Sequence, residues 1–376
     1  MASAASTQHV LLSPAELAYL HSTLSLSPPI RPDGRTPTQF RPLTAETAIL
    51  PGTNGSARIC FADGTEAVVG VKAEVAKTMR RHGGGGDEQQ QQQQLEGAEA
   101  DAGAAAAGNV YGEAEWVEMT VEIPGLRDDD ANTVFLAELL SEALLADGEF
   151  AKKLWINSRF HWKLYLDVIL ISPPLSYPLP LLSLTIHLAL LATRLPRLKS
   201  EGDEDPLFDD DWEASPFLYS EEGKGGRPPV TLLVTAVGDN IIFDPSKEEL
   251  AVADVAVAVS LAEAPATRRS EKMAAGSVRD LRLLSIRVID PPSRLTPSGS
   301  SDMAAAAADG SSTGAKSGLD SRPEARVADS EAVDGVWKAP RGGTRVAVLS
   351  AIIQKVLERG SVADEVMDAL DAVELD

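Results

Sequence analysis

The sequence predicts an α+β protein in two lobes, each opening on strand hairpins and closing on helices. Two hairpin signals and the helix-period segments behind them carry this. In the first lobe, Ser56 to Phe61 and Glu66 to Val75 flank Ala62-Asp63-Gly64-Thr65. Asp-Gly between β-rich runs favours a type I′ turn, which needs positive φ at both central residues. In the second lobe, Val230 to Val237 passes through Gly238-Asp239-Asn240 into Ile241 to Asp244. The repetition suggests an internal duplication of β-β-α units.

The elements follow in order. Ser13 to Thr23 reads as a helix, with Ser13 at the N-cap, Pro14 in the first turn and Glu16 at the reciprocal capping position. Arg31-Pro32-Asp33-Gly34-Arg35 is a turn. Trp116 to Ile123 alternates as a strand, Asn132 to Leu145 has helical spacing, and Leu164 to Ile171 is an apolar strand. Leu181 to Thr193 reads as a buried helix. Val252 to Leu261 is a further strand, while the apolar run Ser277 to Ile289 leaves strand and helix both open. Gly343 to Leu357 and Val362 to Leu375 read as terminal helices broken at Gly360.

The 376 residues are 44% hydrophobic, ample for a packed core of two or three domains, but only 5% aromatic. The formal charge of −22 argues against solitary binding to nucleic acid or to a membrane surface. RNA contact, if made, is expected to be shared with partner chains. A single cysteine, Cys60, rules out an internal disulfide and reads as a small buried strand residue. The first residues lack a secretory pattern. The apolar stretch Leu179 to Leu195 carries Pro180, His187 and Arg194 and is shorter than the roughly 20 apolar residues a bilayer demands.

Four segments look unable to pack, because their compositions bury too little to offset ordering entropy. They are 82–108 (with glutamines 89–94), the acidic then Gly- and Pro-rich 201–226, the charged strip 264–277, and 298–318. The resulting division is an N-terminal helical extension (1–30), a first domain (31–200, with an insert at 82–112), a linker (201–227), and a second domain (228–376, with inserts at 264–277 and 298–318).

Four further stretches carry a resemblance: RPDGRTPTQFRPL from Arg31, GSARICFADGTEAVVGVKAEV from Gly55, HWKLYLDVILI from His161 followed by ATRLP from Ala192, and PPVTLLVTAVGDNIIFDPSKEELAVADVAVAVS from Pro228. In order and spacing the chain resembles the RNase PH-like ring proteins of the eukaryotic exosome, in the subgroup matching the non-catalytic archaeal ring subunit. The resemblance implies an RNase PH-like fold built of ribosomal protein S5 domain 2-like β-β-α units in two subdomains. It implies an obligate hetero-oligomer: a six-membered ring with other RNase PH-like subunits, S1/KH cap proteins over the pore, and single-stranded RNA threaded through the channel. Residence in nucleus, nucleolus and cytoplasm follows from the same source, with roles in rRNA 3′ maturation and in turnover of mRNA and non-coding RNA.

Active members of that family attack the RNA 3′ end with inorganic phosphate, so cations must neutralise two mutually repelling phosphoryl groups. They carry a Gly-Thr/Ser-Arg element before the central helix of the first lobe. Here the turn reads SPPLSYPLPLLS, without glycine or arginine, and its prolines remove backbone donors. The nearest arginine along the chain is Arg194. A carboxylate cluster is the second requirement. Asp244 with Glu248 or Glu249 would be the metal-holding candidates, set against a reading in which Asp244-Pro245 opens a turn and the two glutamates begin a helix. The sequence therefore predicts no enzyme, with no catalytic residues, no metal ligands and no cofactor. The alternative is a phosphate-dependent 3′–5′ exoribonuclease of the same family.

Other chemistries find less support. The five histidines have no metal-ligand spacing, and His187 reads as a satisfied core residue. GSSTGAKS at 310–317 imitates a phosphate loop, but Ala315 stands where the glycine before the lysine belongs and no strand precedes it. Asn54-Gly55-Ser56 is a glycosylation sequon on paper only. Arg159 and Lys163 sit before and at the start of a strand, where a solvated edge explains them better than a pore lining, and no RNA-binding residue is assigned.

Overall fold

The computed structural model describes residues 12–78, 114–200, 202–219, 226–263, 279–289, 338–340 and 343–375. The glutamine run, the strips 264–277 and 298–318, the loop-like 310–317, His9 and His82 lie outside the described residues. The chain divides into two compact units. One is Met1–Gln39 with Val234–Val257 and Val288–Ile352; the other is Phe40–Leu233 with Ala258–Arg287 and Ile353–Asp376.

The larger unit holds a five-stranded sheet. Its strands are β1 (Leu43–Thr47), β2 (Gly55–Phe61), β3 (Glu66–Lys77), β4 (Val117–Glu122) and β5 (Phe160–Leu170), in the order β1-β2-β3-β5-β4. All neighbours are antiparallel except β4, which runs parallel to β5. Trp162, Leu164, Leu166, Val168 and Leu170 of β5 are buried in strict alternation, the period of a strand with one face on the core. The β2–β3 turn differs from expectation. Only Gly64 has positive φ, and Gly64 N–H donates to the Phe61 carbonyl while Phe61 N–H donates to the Thr65 carbonyl. That is a type I turn closed by a glycine bulge, a three-residue loop in place of type I′.

Two helices, α2 (Ala131–Leu145) and α3 (Glu149–Lys153), fill the stretch between β4 and β5, with α2 packed on β4. Helix α4 (Leu179–Leu191) packs on β2 and β3, and all thirteen of its residues are buried. It is a core helix, and among the described residues no helix is long and apolar enough to cross a membrane. Its end approaches the start of β2 so closely that a Cβ on Gly55 would lie 2.4 Å from Thr193 Oγ1 and 2.6 Å from Thr193 Cα. Only glycine fits there.

The segment 201–226, expected not to pack, in part does. Phe208 meets the Trp162 ring at 5.0 Å, Phe217 lies under Arg194 at 4.3 Å, and Tyr219 is buried against Phe150. Leu218 N–H donates to the Thr193 carbonyl and Leu195 N–H to the Pro216 carbonyl. The acidic composition hid three aromatic anchors, whose burial ties the segment down.

The smaller unit begins with α1 (Pro14–Leu24), capped as predicted: Glu16 N–H donates to Ser13 Oγ and Ser13 N–H to Glu16 Oε2. Leu17 and Leu24 pack with Val237, Ile242, Ala251 and Val252. The chain's second sheet, whose strands draw on residues of both units, contains β6 (Val230–Val237), β7 (Asn240–Phe243), β8 (Val255–Glu263) and β9 (Leu281–Ile289), in the order β7-β6-β8-β9. Gly238, with φ 59°, leads the two-residue β6–β7 loop, the position type II′ reserves for glycine. Between β7 and β8 lies the short helix α5 (Lys247–Leu250), and the chain ends on α6 (Val346–Val356) and α7 (Val362–Asp371). The undecided run is thus a strand, while β1, α3 and the four-residue α5 are too short for periodicity to register. The α+β class holds.

Candidate functional site

The first and fourth sequence stretches meet in one buried charge cluster within the smaller unit. The RPDGR turn, with Gly34 at φ 74°, projects Arg31 and Arg35. Opposite them, Asp244 directly follows β7 at φ 47°, a left-handed conformation that aspartate tolerates better than most residues. Ser246 then caps α5 reciprocally with Glu249. Arg31 holds Glu249 by two bonds, Nε to Oε1 at 2.7 Å and Nη2 to Oε2 at 2.8 Å, with both side chains fully buried. Its remaining donors reach the carbonyls of Thr36, Phe243 and Asp244. Arg35 donates Nη1 to Asp244 Oδ2 at 2.8 Å and Nε to Asp33 Oδ2 at 2.6 Å. Burial works to raise Asp33, but hydrogen bonds from Arg35 and the charges of both arginines hold its carboxyl below the usual range.

Asp244 and Glu249 therefore do more than open a turn and complement a helix dipole. Glu249 is bound to its guanidinium in a fork geometry, and Asp244 takes one charged bond from Arg35 Nη1, so both carboxylates are already engaged by arginines. Among the described residues no group of three or more His, Cys, Asp or Glu side chains is arranged to hold one. Glu248 is the less committed acid, accepting from Ser246 Oγ at 2.8 Å. The pairing was missed although both motifs were in view: two arginines spaced by three residues, and two acids spaced by four.

The Ser172 to Leu179 turn needs a correction in space. Pro178 stands at the N-cap of α4 with no side-chain cap, and Pro180 follows in the first turn. Arg194 lies far off along the helix over Phe217, but Arg41 reaches the turn, donating Nη1 to Ser176 Oγ at 2.7 Å. Arg41 also binds Asp63 at 2.6 Å and covers the Phe61 ring at 4.5 Å. Burial would raise Asp63, yet bonds from Thr65 and the charge of Arg41 hold its carboxyl low, so this arginine is matched by an ionised acid. Burial pushes the nearby Tyr177 hydroxyl up to about 12.

The remaining candidates are used locally. Arg159 pairs with Asp205 at 3.1 Å, and Lys163 with Glu118 at 2.9 Å across the β4–β5 pair. His161 stacks on Trp116 at 4.4 Å and shares a hydrogen bond with Thr78. His187 is a fully buried core residue whose ring lies beside the backbone of Pro228 and Pro229, although neither nitrogen meets strict hydrogen-bond geometry. Burial pushes it down to about 4, against the opposing pull of Asp371. Asn54 spends its side chain on Arg194 and Ala73 backbone, and Cys60 is a free, half-buried thiol on β2.

No family model matches the chain. Among characterised proteins it is similar to the exosome complex component RRP42 of Saccharomyces cerevisiae, 32% identical over 255 residues that cover 66% of this chain and 81% of that protein. It is also 32% identical to the exosome complex component rrp42 of Schizosaccharomyces pombe over 266 residues, covering 66% of this chain and 78% of that one. A solved archaeal exosome core superposes at a TM-score of 0.46 with 18% identity, over 73% of this chain and 84% of the matched one. The relatives define the class as the RNase PH-like ring proteins of the exosome. Within it, the chain belongs to the Rrp42 family, since it spans four-fifths of the budding-yeast protein at this identity.

Proposed function

We propose that this chain is a non-catalytic subunit of the RNA exosome core ring. It docks beside other RNase PH-like subunits beneath S1/KH cap proteins and helps form the channel that feeds RNA to 3′–5′ processing and degradation. In this reading 31–200 and 228–376 are the two RNase PH-like domains, and the particle serves nucleus, nucleolus and cytoplasm. Kinship with Rrp42 supports membership of the ring. One observation supports the absence of chemistry: the carboxylates Asp244 and Glu249, which a metal-assisted phosphorolysis would need, are each committed to an arginine. The proline-bearing turn before α4 supports the same conclusion, since its arginine is matched by Asp63.

Two measurements test this. Co-expressed with ring partners, the chain is expected to enter a stoichiometric multi-subunit particle; a soluble monomer that never assembles overturns the reading. Incubated alone with single-stranded RNA, magnesium and phosphate, it is expected to release no nucleoside diphosphates. Release that disappears in Asp244→Asn would instead establish the phosphorolytic enzyme.

A further inference from the structure

In the larger unit, residues 197–209 turn back on themselves as a short ribbon. Asp209 N–H donates to the Arg197 carbonyl and Lys199 N–H to the Leu207 carbonyl, which sets Leu198 opposite Phe208. Phe208 spends its ring on Trp162, so alternation along the ribbon turns Leu207 the other way, where it is 65% exposed. The chain then tightens. Asp211 N–H donates to Asp209 Oδ1, Glu213 N–H to Asp211 Oδ1, and Ser215 N–H to the Trp212 carbonyl. These turns hold Trp212, 46% exposed, between two exposed carboxylates, Asp211 and Glu213. The cations nearby are already engaged. Lys199 holds Asp209 at 3.0 Å and Arg159 holds Asp205 at 3.1 Å. Among the described residues, Glu204, Asp210, Asp211 and Glu213 have no cation at ion-pair distance.

We propose that this surface docks an arginine-rich segment of a partner protein, with one basic side chain over the Trp212 ring and an apolar neighbour against Leu207. The indole face is the aromatic surface that attracts cations best, and carboxylates on either side add charge-assisted hydrogen bonds to the same guanidinium. The spacing of the two anchors keeps them within about 18 Å of each other, a span that one short extended peptide covers. Unpaired acids around them draw a basic partner and set its register, while the same acids repel a phosphate backbone. A compact ion fits less well, because among the described residues no group of three or more acids is arranged to hold a metal. The ribbon is also ordered in advance. Phe208 on Trp162 and Tyr219 beside Phe150 tie the segment down, so little of the binding free energy goes into fixing it.

The test is fluorescence anisotropy on the full chain, with a labelled synthetic peptide that alternates arginine with leucine. The peptide is expected to bind, more weakly as salt rises, and a version with glutamate in place of arginine is expected not to. Trp212→Ala should weaken binding by about five-fold or more, the worth of a cation–π contact together with its apolar surface. Asp211→Asn combined with Glu213→Gln should weaken it as well, with circular dichroism confirming the fold. Asp128→Asn combined with Glu138→Gln makes the same charge change at two exposed acids elsewhere in the larger unit and should leave binding nearly unchanged. Equal weakening in the two double variants would assign the attraction to the chain's net charge of −22 and overturn the proposal. Unchanged binding in Trp212→Ala, or tighter binding of a labelled single-stranded RNA than of the basic peptide, overturns it too.

Discussion

Arg31 and Arg159 carry the same charge and each meets an acid, yet the two regions behave as different materials. Around Arg31 both partners are fully buried, the bond is bidentate, and the guanidinium's other donors end on carbonyls. At the mouth of β5, Arg159 and Asp205 are 55% and 77% exposed, and water competes for every contact. The lesson is that location, not residue type, decides whether an ion pair is part of the fold. Removing one partner of a buried pair strands a charge in a low-dielectric interior, whereas removing an exposed partner returns the other to solvent.

The largest expected effect follows directly. Glu249→Ala should leave the Arg31 guanidinium buried without its counter-ion and cost about 3–5 kcal/mol, read as a lower urea midpoint at unchanged slope. A shift no larger than that of a surface variant would erase the distinction between the two regions.

His187 sharpens it from the side of a fully buried base. Its folded value of about 4 lies below the ordinary imidazole value of 6.5, so the folded state keeps it neutral while the unfolded chain takes up a proton as pH falls. Stability is then full above about pH 6.5 and is lost as pH drops toward 4, by roughly 3 kcal/mol for a displacement of this size. Urea midpoints across that window should decline less steeply in His187→Leu than in the parent; identical slopes would refute the assignment.

A steric counterpart comes next. Gly55→Ala places a methyl 2.6 Å from Thr193 Cα, where backbone must move, and should cost about 1–3 kcal/mol in chemical unfolding. Smallest of all, Arg159→Ala should change the midpoint by no more than about 0–1 kcal/mol, and less at high salt. A larger loss would mean that Arg159 is held by more than its exposed partners.

Much of the scaffold was readable from local signals. The capping box of Ser13 and Glu16, the glycine turns at Gly64 and Gly238, and the alternation along β5 each depend on residues within a few positions of one another. The apolar density of Leu179 to Leu191 likewise made its burial evident. The site was harder. Both of its motifs stood out as RPDGR and DPSKEE, but nothing local says that an arginine will meet a glutamate 218 residues later. The same blindness hid Arg41 at Ser176, 135 residues away, and the anchoring of Phe208, Phe217 and Tyr219 inside an otherwise polar segment.

By itself, then, the sequence determined the α+β class, the hairpins, the helix caps and the identity of the charged motifs. Turn geometry, capping and side-chain periodicity are short-range free energies written in neighbouring residues. Only the tertiary structure decided which charges pair and that the run from Leu281 to Ile289 is a strand. Those outcomes depend on which distant segments the chain brings together and on how much water stays between them, and neither is encoded within any single window of the chain.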